Sequence, residues 1–158
     1  SGVMQRKKRS LNEGGIRVPM VVRWPSKIKA GRVSSHPWYF PDVMPTFAEI
    51  GGVSTEVPED IDGISILPTL LDEGEQKLHE YMFWHYGVRA VRSGKWKGIG
   101  KGGHLYLYDL SKDIEEKNDL SSKHPEIAAR MKKYITIGYR EPRSQKDDGK
   151  YTGKGDKN

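Results

Sequence analysis

The stretch K-R-S-L-N-E-G-G-I-R-V-P-M-V-V-R-W-P occupies residues 8–25 and joins a charged first half to an apolar second half. The first half contains the pair Gly14-Gly15, which is typical of a turn that needs positive φ or a close approach of the backbone. Residues 18–24 are apolar except for Arg23 and Pro19. A short apolar run beside a turn indicates a buried strand, because alternation is lost when both faces of a sheet are covered. The sequence therefore predicts a cationic loop that leads into a core strand, an arrangement that presents side chains to ligands in α/β proteins.

Downstream of this stretch the sequence predicts a helix over residues 42–50. Asp42 can cap it, Pro45 is tolerated in its first turn, and a Gly-Gly pair follows its last residue. Burial beneath this helix is a more frequent role for an aromatic cluster than sugar stacking, and we expect it for Trp38, Tyr39 and Phe40.

Residues 53–60 form an acidic linker, and residues 62–71 a leucine-rich docking segment. Alternating apolar residues and glycine turns then predict an antiparallel meander of four short strands. The predicted strands cover residues 80–86, 89–93, 95–99 and 104–110. Pro125 opens an amphipathic helix that should cover one side of the sheet with a narrow apolar stripe. The stripe consists of Ile127, Met131, Tyr134 and Ile135.

The predicted organisation has three parts. Residues 1–77 hold the loop, strand, helix and docking segment, and residues 78–139 form a small α+β subdomain. Residues 140–158 are almost wholly polar, which predicts a disordered tail.

Composition limits the function classes. The net charge of +6 favours a polyanionic partner, although the lysine-rich tail contributes to it. No helix-turn-helix, RNP or zinc-finger pattern occurs, so we expect no nucleic acid partner. No apolar run is long enough to span a membrane. The absence of cysteine excludes disulfides, thiolate metal sites and a cysteine nucleophile within this chain.

Five motifs, in chain order, carry a family resemblance. They are K-x-x-x-x-E-G-G-I-R-x-P followed by W-P, D-V-M-P-T-F-A-E-I-G-G, D-G-I-S-I-L-P-T-L-L, A-V-R-S-G-K-W-K and L-Y-D-L-S-K-D-I-E-E-K-N-D-L. Together they resemble the C-terminal third of the type I sulfatases, the formylglycine-dependent sulfate ester hydrolases of the alkaline-phosphatase-like superfamily.

The resemblance implies a fold class. The chain should be an α/β fragment, with the last strand and helix of an alkaline-phosphatase-like α/β domain followed by a small α+β subdomain. That subdomain should contain about four antiparallel strands and a C-terminal helix. The missing N-terminal sulfatase domain would be the partner of residues 1–77.

The resemblance also implies which catalytic groups belong to the parent enzyme and are absent from this chain. In the parent enzyme a formylglycine and Ca²⁺ act on a sulfated glycan or aryl sulfate, and the location is periplasmic or secreted. The C/S-x-P-S-R motif that supplies formylglycine does not occur here, nor does the cluster of Asp and Asn that binds the metal. We therefore expect this chain to bind neither cofactor and to be inactive alone.

Site residues follow from the resemblance. Lys8, five residues before Glu13, falls at the position of the lysine that contacts sulfate. His85 and Arg89 flank the first hairpin turn, where this subdomain helps to select the sugar. Trp84 is a further candidate for substrate binding, although core burial explains it equally well.

Two groups of titratable residues suggest no metal site. The five histidines show no H-x-x-H or H-x-x-x-H spacing. The acidic segment after the fourth strand lacks the glycine and ligand spacing of an EF-hand, so we interpret it as a solvated turn. Its carboxylates are Asp109, Asp113, Glu115, Glu116 and Asp119.

Two further hypotheses stay open. A stand-alone module could bind a sulfated glycan through its basic surface and three tryptophans, Trp38, Trp84 and Trp96. Alternatively, the chain is a structural remnant without activity. In either case the predicted strand and helix of residues 1–77 would expose apolar faces, and we expect self-association.

Overall fold

The computed structural model describes residue 4, residues 9–58 and residues 60–140. Ten short elements follow one another within these residues. They are α1 (Glu13–Ile16), a 3-10 turn (Phe40–Asp42), α2 (Val43–Ile50), a second 3-10 turn (Ser54–Glu56), α3 (Leu67–Leu71), β1 (Met82–Tyr86), β2 (Val88–Ser93), β3 (Trp96–Lys101), β4 (His104–Asp109) and α4 (Pro125–Ile137).

The four strands form an antiparallel sheet in the order β1-β2-β3-β4. Each strand is joined to the next by a tight turn that contains glycine at positive φ, and these glycines are Gly87, Gly94, Gly102 and Gly103. Only glycine adopts this conformation without steric cost, so the turns set the register of the meander. The predicted meander is confirmed.

Helix α4 covers one face of the sheet. The buried residues of this layer are Val91, Leu105, Leu107, Ala128, Met131 and Tyr134. A Cβ at Gly98 of β3 would lie 2.9 Å from Cβ of Met131, so the helix approaches the sheet this closely only because Gly98 has no side chain. The predicted amphipathic helix and its packing are confirmed.

The N-terminal segment covers the opposite face of the same sheet. Leu11 is buried with Ala90, Ile99, Tyr108 and Leu110, and Ile16 of α1 packs against this cluster. The sheet is therefore enclosed between α4 on one side and the segment around α1 on the other. The sequence did not predict this second layer.

Two expectations for the opening stretch are wrong. Gly14 and Gly15 lie within the short helix α1 and not in a turn with positive φ, whereas a close approach of the backbone at this pair stays a prediction. Residues 18–24 form no strand, and Val21 is 94% exposed. The physical reason is that a core strand exists only as a member of a sheet, and the described residues place no neighbouring strand beside this segment.

Asp42 is buried at the start of α2, but its carboxylate does not cap that helix. Instead it accepts hydrogen bonds from the backbone N–H of Tyr39 at 2.9 Å and of Ile64 at 2.8 Å. Its Oδ1 also lies 2.8 Å from Nε2 of the buried His79 ring. Asp42 thus connects the 3-10 turn, the docking segment and the approach to β1.

The docking segment approaches the start of α2 very closely. A Cβ at Gly63 would lie only 2.1 Å from the carbonyl oxygen of Pro41. In addition, the N–H of Ile66 donates to Oγ1 of Thr46 at 3.0 Å. Hydrogen bonds and the burial of Ile66 therefore hold this segment, whereas the leucines that the sequence indicated are only partly buried.

The apolar face of α2 is exposed. Phe47 is 68% exposed, and Met44 and Ile50 are also open to solvent. In the predicted aromatic cluster, Tyr39 is buried whereas Phe40 is 84% exposed, so the expected burial of the whole cluster is wrong. These side chains have the character of a core face, and within the described residues no element covers them.

The predicted tail begins at Arg140, whose guanidinium donates to the carbonyl oxygen of Asp60 at 3.2 Å. The rest of the tail, residues 141–158, lies outside the described residues. The domain boundary between residues 77 and 78 stays a prediction.

Candidate functional site

A cluster of three charged side chains is buried between the sheet and α1. Nζ of Lys97 lies 2.8 Å from Oε1 of Glu13 and 2.9 Å from Oε1 of Glu116. The lysine side chain is completely buried, and the two carboxylates are at most 3% exposed. The contact with Glu116 lacks hydrogen-bond alignment and is electrostatic in character. We refer to Glu13, Lys97 and Glu116 as the buried charge cluster.

Strand geometry explains why Lys97 points into the protein. Side chains alternate along β3, so Lys97 shares a face with Ile99, and this is the face that α1 covers. A second cation lies beside it, because Arg92 of β2 is the register partner of Lys97. A buried ammonium is costly without an ionic partner, and Glu13 and Glu116 provide the opposite charge.

Arg92 and Arg17 extend the positive charge around Glu13. Burial lowers the pKa of Arg92, and the carboxylate of Glu13 acts in the opposite direction. Nη1 of Arg17 lies 3.8 Å from Oε2 of Glu13 on the partly exposed side. The single carboxylate of the E-G-G-I-R motif therefore has three cations near it, Arg17, Arg92 and Lys97.

The acidic segment after β4 is not the solvated turn that the sequence indicated. Glu116 is buried, and its Oε2 accepts a hydrogen bond of 2.7 Å from the backbone N–H of Glu13. Its backbone has φ of 55°, a left-handed conformation that costs energy in a residue other than glycine and is retained where contacts impose it. Asp119 accepts from the N–H of Leu107 at 3.0 Å, which fastens the segment to β4. The segment is thus a packed connection.

Asp109 contributes stability that depends on pH. The hydrogen bond from Nζ of Lys95, together with the hydroxyl of Ser111, lowers the pKa of Asp109 to about 2. The folded pKa is below the ordinary value of 3.8, so this stabilisation is complete above about pH 4 and is lost as the pH falls through about 2. We expect Asp109→Asn to unfold with a weaker pH dependence between about pH 4 and pH 2 than the parent. Urea unfolding at a series of pH values measures this.

The exposed residue Asp72 provides the control for that series. Asp72→Asn should retain the parent's loss of stability in acid, because its carboxylate is open to solvent. An identical acid dependence in the parent and in Asp109→Asn would contradict the prediction.

The structure brings together two of the predicted site residues. His85 and Arg89 are register partners in β1 and β2, and both contact Tyr139 just after α4. Cζ of Arg89 lies 3.6 Å above the Tyr139 ring, and the His85 ring meets that ring edge-on at a centroid distance of 5.3 Å. The position of Lys8 lies outside the described residues.

Trp84 lies on the opposite face of the sheet from His85 and Arg89. It packs with the cluster around Leu11 and meets the ring of Tyr39 edge-on at a centroid distance of 5.7 Å. Its ring therefore has a clear packing role, and its contact with substrate stays a prediction.

Sequence reasoning missed the buried charge cluster. The available signal was the alternation of side chains along this strand, which is rich in core residues. It places Lys97 on the same inward face as Ile99. No local signal links Lys97 to Glu13, which is 84 residues away, because only the tertiary fold brings them together.

A wide groove of about 960 Å³ opens beside α1. Its lining includes Glu13, Arg17, Met20, Trp38, Trp84 and Arg92. Its walls thus combine charged, aromatic and apolar side chains. Among the described residues, no three His, Asp or Glu side chains meet in a group that could hold a metal ion. None of the described helices is long and apolar enough to cross a membrane.

Comparison with known proteins identifies relatives of this chain. Steryl-sulfatase of Mus musculus is 38% identical over 98 residues, covering 61% of this chain and 15% of the mouse protein. N-acetylglucosamine-6-O-sulfatase of Bacteroides thetaiotaomicron is 31% identical over 160 residues, covering 89% of this chain and 27% of that protein.

A solved structure supports the same relationship. It comes from work on the core genetic locus with which Bacteroides thetaiotaomicron metabolises multiple glycosaminoglycans. It superposes with a TM-score of 0.72 at 28% identity, covering 87% of this chain and 32% of the solved chain. The chain thus spans less than a third of the length of these relatives.

The family model described as N-sulphoglucosamine sulphohydrolase, C-terminal, matches residues 5–139. This match covers the segment around α1, the helix α2, the whole sheet and α4. The chain therefore belongs to this family, and it corresponds to the C-terminal part of a sulfatase of the alkaline-phosphatase-like superfamily.

Proposed function

We propose that this chain is the C-terminal portion of a sulfatase that hydrolyses the sulfate ester of a sulfated carbohydrate. The observation that carries the proposal is the family match over residues 5–139. The name of the relative N-acetylglucosamine-6-O-sulfatase favours an amino sugar sulfate as the substrate class. Aryl sulfates are the second substrate class, and they provide the convenient assay.

The proposed contribution of this chain to the chemistry is positive charge at the sulfate group. Lys8 would contact the sulfate oxygens, where negative charge increases as the S–O bond breaks. An ammonium suits this role because it offers three donors on a flexible stem. The segment that follows Lys8 is held against the sheet through Leu11 and Glu13.

The nucleophile and the metal are proposed to lie outside this chain. The chain contains neither cysteine nor a C/S-x-P-S-R motif, and its described residues offer no group that fits a calcium ion. We propose formylglycine and Ca²⁺ as cofactors of the parent enzyme, held by its N-terminal domain. We further propose a periplasmic or secreted location for that enzyme.

We propose that the first hairpin contributes to the choice of sugar. His85 and Arg89 lie together near the hairpin turn at Gly87, and their contacts with Tyr139 hold them in place. An imidazole and a guanidinium can both donate hydrogen bonds to hydroxyl or sulfate oxygens. Trp84 is proposed as a more distant contributor to substrate binding.

A second candidate function is binding of a sulfated glycan without hydrolysis. The net charge of +6 supports it. A heparin column run with increasing salt tests this candidate. Strong retention with a steep salt dependence supports it, and elution at ordinary ionic strength contradicts it.

We expect the 158-residue chain to hydrolyse no aryl sulfate, with or without calcium. The physical reason is the absence of a nucleophile motif from its sequence. The measurement is release of a chromogenic phenol by the purified chain, compared with a buffer blank. Turnover above that blank would contradict the prediction.

The matching experiment uses the longer protein that includes the sequence upstream of this chain. This protein should cleave the same chromogenic sulfate and contain a C/S-x-P-S-R motif. Absence of turnover on both aryl and saccharide sulfates would refute the proposed function.

We expect the isolated chain to self-associate through the exposed face of α2 and the extended residues 18–24. Phe47, Phe40 and Val21 are large apolar side chains that are mostly exposed, and exposed apolar surface drives association. Light scattering should give a mass above that of a monomer, and a hydrophobic dye should bind.

Substitution of Phe47 tests the surface directly. Phe47→Glu should reduce both the mass and the dye signal. Ile137→Glu is the matched control, because Ile137 is also exposed but lies at the end of α4. A monomeric parent that binds no dye would show that these faces do not drive association.

A further inference from the structure

The buried charge cluster joins three segments that are distant in sequence. Glu13 belongs to α1, Lys97 to β3 and Glu116 to the segment after β4. Two links converge on Glu13, since its carboxylate contacts Lys97 and its backbone N–H donates to Glu116. These links fix both the side chain and the backbone at the first residue of α1.

The chain just before Glu13 is also held in place. Leu11 is buried against the sheet, and the N–H of Asn12 donates to Oγ of Ser10 at 3.1 Å. Residues 10–13 are thus tied to β3, and Lys8 precedes them by only two positions. A displacement of α1 would consequently move the attachment point of the proposed sulfate-contacting residue.

Glu116 shows that the cluster imposes a conformation. Its φ of 55° is unfavourable for glutamate, yet the residue is buried and contacts both Glu13 and Lys97. Stability alone does not require such a cluster, because apolar residues of similar volume often replace buried ion pairs without loss of stability. The strained backbone and the buried charge of Glu116 are better explained if the cluster has to hold the attached segments in a defined position.

We propose that Glu13, Lys97 and Glu116 are positioning residues that set the placement of residues 10–13, which follow Lys8 closely in sequence, relative to the C-terminal sheet. This inference rests on the proposed sulfatase function and deepens it. The C-terminal subdomain then determines the geometry of one wall of the sulfate site. None of the three residues is proposed to touch the substrate.

The first test is amide hydrogen exchange in the 158-residue chain. The N–H groups of residues 13 and 15–17 are hydrogen-bonded within and around α1. Glu13→Ala should accelerate their exchange at least about tenfold more than it accelerates exchange of the amides of β2 and β3. Glu13→Gln keeps the shape and an acceptor oxygen, so its effect should lie between the parent and Glu13→Ala. If Glu13→Ala does not fold, Glu13→Gln alone should still show faster exchange confined to α1.

Glu126→Ala is the matched control, because Glu126 is an exposed carboxylate in the first turn of α4. It should leave exchange around α1 unchanged. Uniform acceleration throughout the sheet in the Glu13 variants would overturn the proposal, because it would indicate general destabilisation only. Unchanged exchange around α1 would also overturn it.

The second test is kinetic and uses the longer protein. Glu13→Ala should lower kcat on a chromogenic sulfate about 100-fold with little change in KM, because small misplacements of a group at the reacting atoms have effects of this size. The kcat of Glu13→Gln should be at least about tenfold higher than that of Glu13→Ala. A kcat for Glu13→Ala within about threefold of the parent would overturn the positioning role. If the parent itself has no activity, the proposed function fails, whereas the exchange test still decides whether the cluster holds the segment.

Discussion

Lys97→Met is expected to lower the free energy of unfolding of this chain by about 3–5 kcal/mol. The substitution removes the cation that lies 2.8 Å from Glu13 and 2.9 Å from Glu116. Two buried carboxylates are then left without an adjacent ammonium, and leaving a buried charge unpaired is far more costly than the net value of an ion pair. Equilibrium unfolding in urea, followed by tryptophan fluorescence, measures the difference.

Two further variants make the result specific. Lys101→Met introduces the same change in the same strand at an exposed position and should alter stability by less than about 0.5 kcal/mol. The triple variant Glu13→Gln, Lys97→Met, Glu116→Gln removes all three charges, so it should be more stable than Lys97→Met alone. A loss below about 1 kcal/mol in Lys97→Met would contradict the view that this lysine compensates buried carboxylates.

In the longer protein, Lys8→Ala is expected to reduce kcat by two to three decades, on the order of 3 kcal/mol of transition-state stabilisation. The expectation follows from the resemblance, in which the lysine at this position contacts the sulfate. Charge is redistributed on the sulfate oxygens during the reaction, so the contact strengthens in the transition state and its loss affects kcat more than KM. Steady-state kinetics on an aryl sulfate provides the measurement.

Neighbouring variants test the register of this assignment. Lys8→Arg should restore little activity, because a planar guanidinium presents its donors differently from an ammonium. Loss of kcat in Lys7→Ala, with Lys8→Ala near the parent, would place the sulfate contact one residue earlier. His85→Ala should instead change the preference among sulfated saccharides with a small effect on the aryl sulfate. Near-parent values for both lysine variants would refute the sulfate contact.

Local signals were sufficient for the C-terminal half of the described structure. The glycines at the three hairpin turns and the alternation between them indicated the meander without knowledge of any distant residue. Pro125 at the first turn and the stripe through Met131 likewise indicated α4 and the face that packs on the sheet. These features depend on neighbours in sequence, so a single sequence contains them.

Residues 18–24 show where local reasoning fails. Their composition is that of a core strand, but a strand forms only beside another strand. The described residues place none beside them, so the segment is extended and exposed. The face of α2 shows the same effect, since Phe47 has the spacing of a packed residue and is exposed.

By itself the sequence determined the order of the elements from β1 to α4, the register-setting turns, the amphipathic helix and the family. Only the tertiary structure decided that the segment around α1 covers the second face of the sheet and that Lys97 is buried between Glu13 and Glu116. The physical reason is the distance along the sequence between the residues that interact. Turns and periodicity arise from residues within one or two turns of the chain, whereas the charge cluster joins positions separated by 84 and 103 residues. Nothing local to any of the three residues specifies its partners.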